Sequence, residues 1–296
     1  RGIILRVRPK KITPLYQKIW MDDGSPLRVY SHRITEALNS MTDDVEFEFA
    51  MRYGNPSIMS GLEKLKAKGV EELLLLPMFP HYAQATTESS LKHSYKQLAK
   101  MDWNPKIIEM GHFETDEEYV IPLTKSIQPH IDEDTHLLFS YHGLPVSHVK
   151  RIDKTKSHCQ KIDNCCAIKK EANELCYGHH CMETTHTVVG LLGLKPDQWS
   201  ISYQSRIGPV KWLEPSTTNK IEELVKRGVK KIAIVAPAFL ADGLETLEEL
   251  DIGIREHFTE LGGEELTVVK CLNDNQDWID GLFKLVEKRF SQAVSA

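Results

Sequence analysis

Residues 47–80 and 201–239 repeat one pattern, and that repeat limits the possible folds more than any other feature of the chain. The first copy reads FEFAMRYGNP at 47–56, then a helical stretch, then AKGVEELLLLPMFP at 67–80. The second reads ISYQSRIGP at 201–209, then a helical stretch, then KRGVKKIAIVAPAF at 226–239. Arg52 and Gly54 correspond to Arg206 and Gly208, Gly69 and Val70 to Gly228 and Val229, and Pro77 and Phe79 to Pro237 and Phe239. Each copy runs strand, Arg-x-Gly loop, helix, Gly-Val, strand, Pro-x-Phe. Shared positions in one order predict two similar α/β lobes.

Apolar runs of strand length at 45–51, 72–76, 107–110, 136–141, 199–204, 231–236 and 266–272 alternate with helical patterns such as 57–68, 117–130 and 216–227. That alternation predicts parallel sheets flanked by helices and joined by right-handed crossovers, an α/β fold of two similar Rossmann-like lobes. The expected division is 1–135 and 136–296. The second lobe would carry an insert at 150–185, and the C-terminal helix would return to the first lobe. A chain of 296 residues with 41% apolar and 27% charged residues buries a core without disulfides, which excludes a disordered or fibrous protein. A net charge of −5 argues against a dedicated nucleic-acid binder. No run approaches the roughly 18–20 apolar residues of a spanning helix. The first eleven residues set Arg1, Arg6, Arg8, Lys10 and Lys11 around Ile3, Ile4, Leu5 and Val7. They read as a solvated basic start or as a point of contact with an anionic membrane surface.

Ligands of open α/β sheets collect beyond the carboxyl ends of the strands. The loops that begin near Arg52, Pro77, Tyr141, Gln204 and Pro237 are therefore the candidates. No G-x-G-x-x-G or Walker loop follows a strand, which disfavours a nucleotide. His142 ends the apolar run of LLFSYHGLP (137–145) before a glycine turn, a good position for proton exchange near neutral pH. The segment ADGLETLEELDIG (241–253) sets Asp242, Glu245, Glu248, Glu249 and Asp251 among Leu244, Leu247 and Leu250 in a helical pattern. Helix capping accounts for Asp242. It accounts less well for Glu245, because Glu248 and Glu249 can serve the surface. Carboxylates facing a histidine would bind a divalent cation or shuttle protons.

SYHGLP (140–145), YQSRIGPVKWLEP (203–215) and PAFLADGLETLEELDI (237–252) together resemble ferrochelatases, the enzymes that insert ferrous iron into a porphyrin. RYGNPSI (52–58) and FPHYAQATTESSL (79–91) match the family's first lobe, so the resemblance spans nearly the whole chain. It implies two Rossmann-like lobes with a porphyrin cleft between them, and haem formation from protoporphyrin IX or a close porphyrin. His142 would take pyrrole protons or guide the metal. Glu245, with Asp242 beside it, would lie on an acidic proton or metal path, so that His142 and Glu245 also count as metal-contacting residues. Phe239, Trp212, Tyr53, Arg52 and Tyr82 would contact the porphyrin. Fe²⁺ is a substrate of this reaction. Many family members have a histidine where this chain has Gly243. Family members also begin with a strand, an N-L-G-x-P loop and an apolar lip that do not appear here, so the first lobe is expected to lack roughly one strand and the lip.

Five of the six cysteines, Cys159, Cys165, Cys166, Cys176 and Cys181, fall within the insert; Cys271 stands apart as a small core residue. Paired C-x₂₋₄-C knuckles, the mark of structural zinc, are absent except near Cys176–Cys181, although His158, His179 and His180 could complete a zinc site. Four thiolates on irregular spacing suit a [2Fe–2S] cluster, and some ferrochelatases carry one in an internal insert of this kind. Cys159 and Cys176 lead the ligand set. One of the adjacent Cys165 and Cys166 is expected to be spare, and Cys181 stands next to a METT segment that cluster-free family members share. The resemblance implies a cytoplasmic enzyme, peripheral on the inner membrane face if the basic start engages lipid. The rival readings are a haem or porphyrin carrier without catalysis, an iron–sulfur sensor on an α/β scaffold, and a cobalt or nickel chelatase.

Overall fold

The computed structural model describes residues 12–295, so the basic start at 1–11 and its expected membrane contact lie outside the described residues. Two units emerge. One holds Thr124–Pro145, Val189–Asn273 and the described residues up to Ser31. The other holds His32–Leu123, Val146–Val188 and the described residues from Asp274 onward.

The first unit is built on a parallel sheet in the order β4-β3-β5-β6: β3 is His136–His142, β4 Trp199–Gln204, β5 Lys231–Val235 and β6 Glu265–Val268. Strand β3 lies inside the sheet, and its residues 136–141 are all buried, which explains an apolar run without alternation. Its register sets His142 opposite Gln204, at the carboxyl ends where ligands are expected. Helix α8 (Thr217–Lys226) and helix α9 (Arg255–Glu260) cover the sheet, with Ile221, Leu224 and Phe258 packed on Leu138, Ile232 and Ile234. Burying each such side chain contributes about 1.5–3 kcal/mol.

The second unit carries the short parallel pair β1 (Glu72–Leu75) and β2 (Lys106–Glu109). Helix α3 (Ile58–Ala67) packs Leu62 and Leu65 on Leu73 and Leu75, and helix α4 (Ser89–Leu98) adds Leu98. The predicted strand at 45–51 joins no ladder among the described residues. Its backbone is held instead by the Asn39 side chain, which bonds both the N–H and the carbonyl of Phe47 at 2.8 and 2.9 Å, and by one bridge from Met51 to Ser57.

The repeat is visible in detail. Ser57 and Ser216 each follow a cis prolyl bond and cap their helices, accepting from the N–H of Ser60 and Asn219 at 3.1 Å. Such a cap contributes about 1 kcal/mol. Both helices close in the same way. Gly69 and Gly228 take φ of +76° and +86°, and the following Val70 and Val229 reach back to the carbonyls of Leu65 and Leu224. Both copies then continue, seven residues after Pro77 and Pro237, into π-helical backbone at Gln84–Glu88 and Leu244–Ile254.

A single cut at 135/136 does not describe these units. Helix α6 (Val146–Ile152), the insert and the start of helix α7 (Tyr177–Leu192) belong with β1 and β2. The reason is local: Thr184 and His180 on α7 bond His81 and Tyr82 in the loop after β1. Helix α10 (Gln276–Ser295) joins the same unit, with Trp278 fully buried against Phe113 and Tyr119. Among the described residues no helix is long and apolar enough to cross a membrane.

Candidate functional site

His142 stands where β3 ends. Its Nδ1 lies 2.7 Å from the Gly143 carbonyl oxygen, which can only accept, so Nδ1 carries the proton and Nε2 is the basic nitrogen of the neutral ring. Gly143 is required by close approach, since a Cβ there would sit 2.7 Å from the Gln204 carbonyl oxygen. The Trp212 ring lies against the same point, and the chain around it is bridged to the HGLP loop by Leu213 N–H to the Leu144 carbonyl at 3.0 Å. The Phe239 ring centre is 6.1 Å from that of His142.

Glu245 opens the π-helix Leu244–Ile254, where sequence spacing predicts an ordinary α-helix. The π form is rare and concentrates at functional sites. Glu245 is half-buried, and its Oε2 lies 3.4 Å from where a Cβ on Gly243 would be. Position 243 therefore borders this carboxylate, and glycine leaves the space open. The Tyr16 hydroxyl is pushed up, first by burial and then by the Glu245 charge.

Asp242 is buried and its carboxylate is fully engaged. It accepts from the Thr246 hydroxyl at 2.9 Å, the Asn273 side-chain amide at 2.7 Å and the Cys271 N–H at 3.3 Å. These bonds anchor the loop that leads into Glu245. Glu248 pairs with Lys18 at 3.6 Å. Glu249 is no surface carboxylate: it accepts from the Ser205 N–H at 2.7 Å and the Ser205 hydroxyl at 2.5 Å. Ser205 has a φ of +62°, unusual for a residue with a side chain, so Glu249 holds a strained turn in place.

Sequence reasoning passed over Gln204, the residue that joins these parts. Its backbone carbonyl accepts from Gly143 N–H at 2.8 Å. Its side-chain oxygen accepts from Ser140 at 2.7 Å, and its side-chain N–H donates to the Glu245 carbonyl at 2.7 Å. Gln204 thus ties the His142 turn, through its backbone carbonyl, to the Glu245 helix, through its side-chain amide.

Arg52, Tyr53 and Tyr82 belong to the other unit. Arg52 bonds the Ser89 carbonyl and hydroxyl at 3.2 and 3.1 Å and lies 4.5 Å over the Tyr53 ring, which is 79% exposed. The Tyr82 hydroxyl donates to Glu88 at 3.0 Å and is pushed up to about 12 by burial and that bond.

The insert folds around a small enclosed cavity lined by Cys159, Cys165, Cys166 and Cys176. The adjacent Cys165 and Cys166 both face it, with sulfurs 3.9 Å apart, so neither is spare by orientation. Cys181 is fully buried on α7 and lies outside the cavity lining. Asp153 organises the entry turn, accepting from the N–H groups of Thr155, Lys156, His158 and Cys159 and from the Thr155 hydroxyl. These bonds hold its carboxyl well below the usual range. The Cys176 thiol is lowered by its hydrogen bond from Cys166 and by the N–H groups of His179 and Gly178 at the start of α7. Burial raises Cys159 to about 11. Of the histidines that could complete a zinc site, His180 has both ring nitrogens engaged and is not available to a metal. His158 and His179 bond the carbonyls of Cys165 and Cys166 at 2.8 and 2.7 Å, and His180 bonds that of Glu174 at 2.7 Å. Four convergent thiols with one already acidified fit a thiophilic metal centre.

A second grouping brings His112, Glu114 and His180 together. His112 Nδ1 is 2.6 Å from Glu114 and is raised by that bond, while burial lowers His180 to about 4. Burial opposes the Glu114 charge, yet His112 and His180 bring it down to about 2. This is an ion pair beside a neutral imidazole.

The sequence profile described as ferrochelatase matches residues 1–290. The ferrochelatase of Ectopseudomonas mendocina is 39% identical over 289 residues, covering 97% of this chain and 85% of its own. That of Stutzerimonas stutzeri is 38% identical over the same shares. Among solved structures, SirB from Bacillus subtilis with Fe³⁺ is similar in fold, with a TM-score of 0.59, 12% identity and 90% of each chain covered.

Proposed function

Because the chain belongs to the ferrochelatase family, it inserts ferrous iron into a porphyrin to form haem, and we propose that His142 and Glu245 move the protons in that reaction. The enzyme is a metal chelatase of lyase type, which sets aside the carrier and sensor readings. The observation that carries the residue assignment is Gln204, whose backbone and side chain tie the His142 turn to the Glu245 carbonyl.

A free porphyrin holds two N–H protons in a rigid plane, and both must leave before iron is bound by four nitrogens. His142, with Nδ1–H given to Gly143, offers Nε2 as the acceptor. Glu245 is half-buried and adjoins the open space at Gly243, so it can take a proton from the site and release it to water. Asp242 continues the acidic path beside Glu245, and Glu249 and Gln204 position these groups. Phe239 and Trp212 supply apolar wall beside His142, and Arg52, Tyr53 and Tyr82 are further porphyrin contacts. Apolar contact of this kind can hold a bent macrocycle, the bend being offset by burial of its large surface.

The same reading gives the insert a [2Fe–2S] cluster on Cys159, Cys165, Cys166 and Cys176, with Cys181 outside the set. Four thiols lining one cavity, on irregular sequence spacing, support this reading. Such a cluster supplies a one-electron couple when bound. A cytoplasmic location, with peripheral membrane contact through the basic residues of 1–11, belongs to the same proposal.

The test is to mix the protein anaerobically with porphyrin and Fe²⁺ or Zn²⁺ and follow loss of free-porphyrin fluorescence. His142→Ala is expected to abolish insertion while fluorescence titration still detects porphyrin binding. Turnover near the wild-type rate would remove His142 from the reaction.

A further inference from the structure

His180 has no part in the chemistry above, yet its side chain is 1% exposed and both ring nitrogens are engaged. The Tyr82 backbone N–H can only donate, so Nδ1, 3.1 Å away, is the acceptor. Nε2 therefore carries the proton and donates it to the Glu174 carbonyl at 2.7 Å. With this tautomer no ring lone pair is left for a cation, which takes His180 out of any metal site with His112 and Glu114.

Its two partners belong to segments with different tasks. Glu174 precedes Cys176 by two residues, in the turn that carries this cysteine into the thiol cavity; the Cys176 N–H bonds the Asn173 carbonyl at 2.8 Å, and the His180 N–H bonds the Cys176 carbonyl at 3.0 Å. Tyr82 lies in the FPHYA loop after β1, and a second contact four residues further along α7 grips that loop again, Thr184 to His81 Nε2 at 2.8 Å. Asn173, beside Glu174, also donates to the Cys165 carbonyl at 3.0 Å, so the turn is fastened to a second cavity cysteine.

We propose that His180 is a positioning residue through which filling of the thiol cavity fixes the Tyr82 loop and thereby sets porphyrin affinity. The proposal rests on the cluster and porphyrin assignments made above. A metal centre on Cys176 and Cys165 pins the 173–176 turn from two sides and holds the Glu174 carbonyl where the imidazole needs it. When the cavity is empty the turn can shift. A buried Nε2–H without an acceptor is costly, so the ring follows its partner and the Tyr82 N–H loses Nδ1.

The experiment compares porphyrin binding, by fluorescence quenching, and amide exchange at 80–84 in the loaded protein and after anaerobic chelation, with visible absorbance and acid-labile sulfide reporting the cluster separately. Stripping is expected to weaken porphyrin binding about 10-fold, the scale of one or two buried hydrogen bonds, and to speed exchange at Tyr82. H180Q presents an amide oxygen to Tyr82 and an amide N–H to Glu174, and should keep the response. H180L should bind about 10-fold more weakly even when loaded and ignore stripping. The wild-type comparison needs no substitution, so it decides the matter even if H180L fails to fold. Equal affinity and exchange in loaded and stripped wild type would overturn the coupling while leaving the cluster in place. Purified protein without labile sulfide would instead overturn the cluster reading, and the coupling with it.

Discussion

Three glutamates within five residues, Glu245, Glu248 and Glu249, separate into three roles once their partners are known. Glu245→Gln keeps size and hydrogen bonding but removes a proton site, and turnover should fall at least ~100-fold with little change in melting temperature. Among the described residues Glu248 pairs with Lys18 at 3.6 Å, so Glu248→Gln should be nearly silent in both. Sequence patterning predicts the same silence for Glu249→Gln. The structure does not, because both carboxylate oxygens brace Ser205 in its left-handed turn, and an amide can accept on only one side. Glu249→Gln should lower the melting temperature as well as turnover, measured side by side with the Glu248 variant. If Glu248 and Glu249 behave alike, the acidic run is helix scaffolding and the separation is wrong. His142 and Glu245 stand out as candidates in the sequence because a histidine or carboxylate at a strand end is chemically conspicuous. Gln204 does not, because a glutamine at the same place looks like any polar residue until its three bonds are counted.

Strands and helices were read from apolar periodicity to within one or two residues in most cases: β4 at Trp199–Gln204, α3 between Ser57 and Lys68, α8 between Ser216 and Arg227. The π-helix was not. Leu244, Leu247, Leu250 and Ile254 satisfy an α pattern equally well, and the choice of wider turn is made by tertiary bonds such as Gln204 to the Glu245 carbonyl. The insert has almost no periodicity, so its cysteines could be counted but not aimed. Its shape comes from Asp153, whose five accepted bonds build the entry turn, and from three histidines that hold carbonyls. A cysteine series checks the result. Ser in place of Cys159, Cys165, Cys166 or Cys176 should bleach the visible bands of the purified protein, whereas Cys181→Ser should keep them. Colour lost only with Cys181→Ser and kept with Cys165→Ser would put the ligands elsewhere. Zinc in place of iron and sulfide would end the cluster reading outright.

At the scale of the whole molecule the repeat foretold two α/β units, and the structure extends the duplication through matched caps, matched helix ends and matched π-helical turns. The sequence could not show that each unit is assembled from separated segments, since that depends on contacts such as Trp278 on Tyr119 and Thr184 on His81. The unit that gathers β1, the insert and α10 also contains the His112–Glu114 pair, and this gives its stability a definite pH signature. Glu114 is brought to about 2 from an ordinary value of 4.5, so its contribution is present above 4.5 and is lost as pH falls toward 2. His112 is raised above 6.5, first by its bond to Glu114, so its contribution is complete below 6.5 and is lost as pH rises through the higher folded value. Both terms are therefore in force between about 4.5 and 6.5. His112 is one-third exposed, which tempers the size of the effect but not its direction. Arg289, bonded to the carbonyls of Met110 and His112 and to Asp116, keeps the loop in place when His112 is replaced, so the substitution tests the charge. The melting-temperature difference between wild type and His112→Gln should be largest near pH 6 and shrink by pH 9. A difference that grows across that range would mean that His112 is neutral in the folded protein and that the pair is a hydrogen bond without charge.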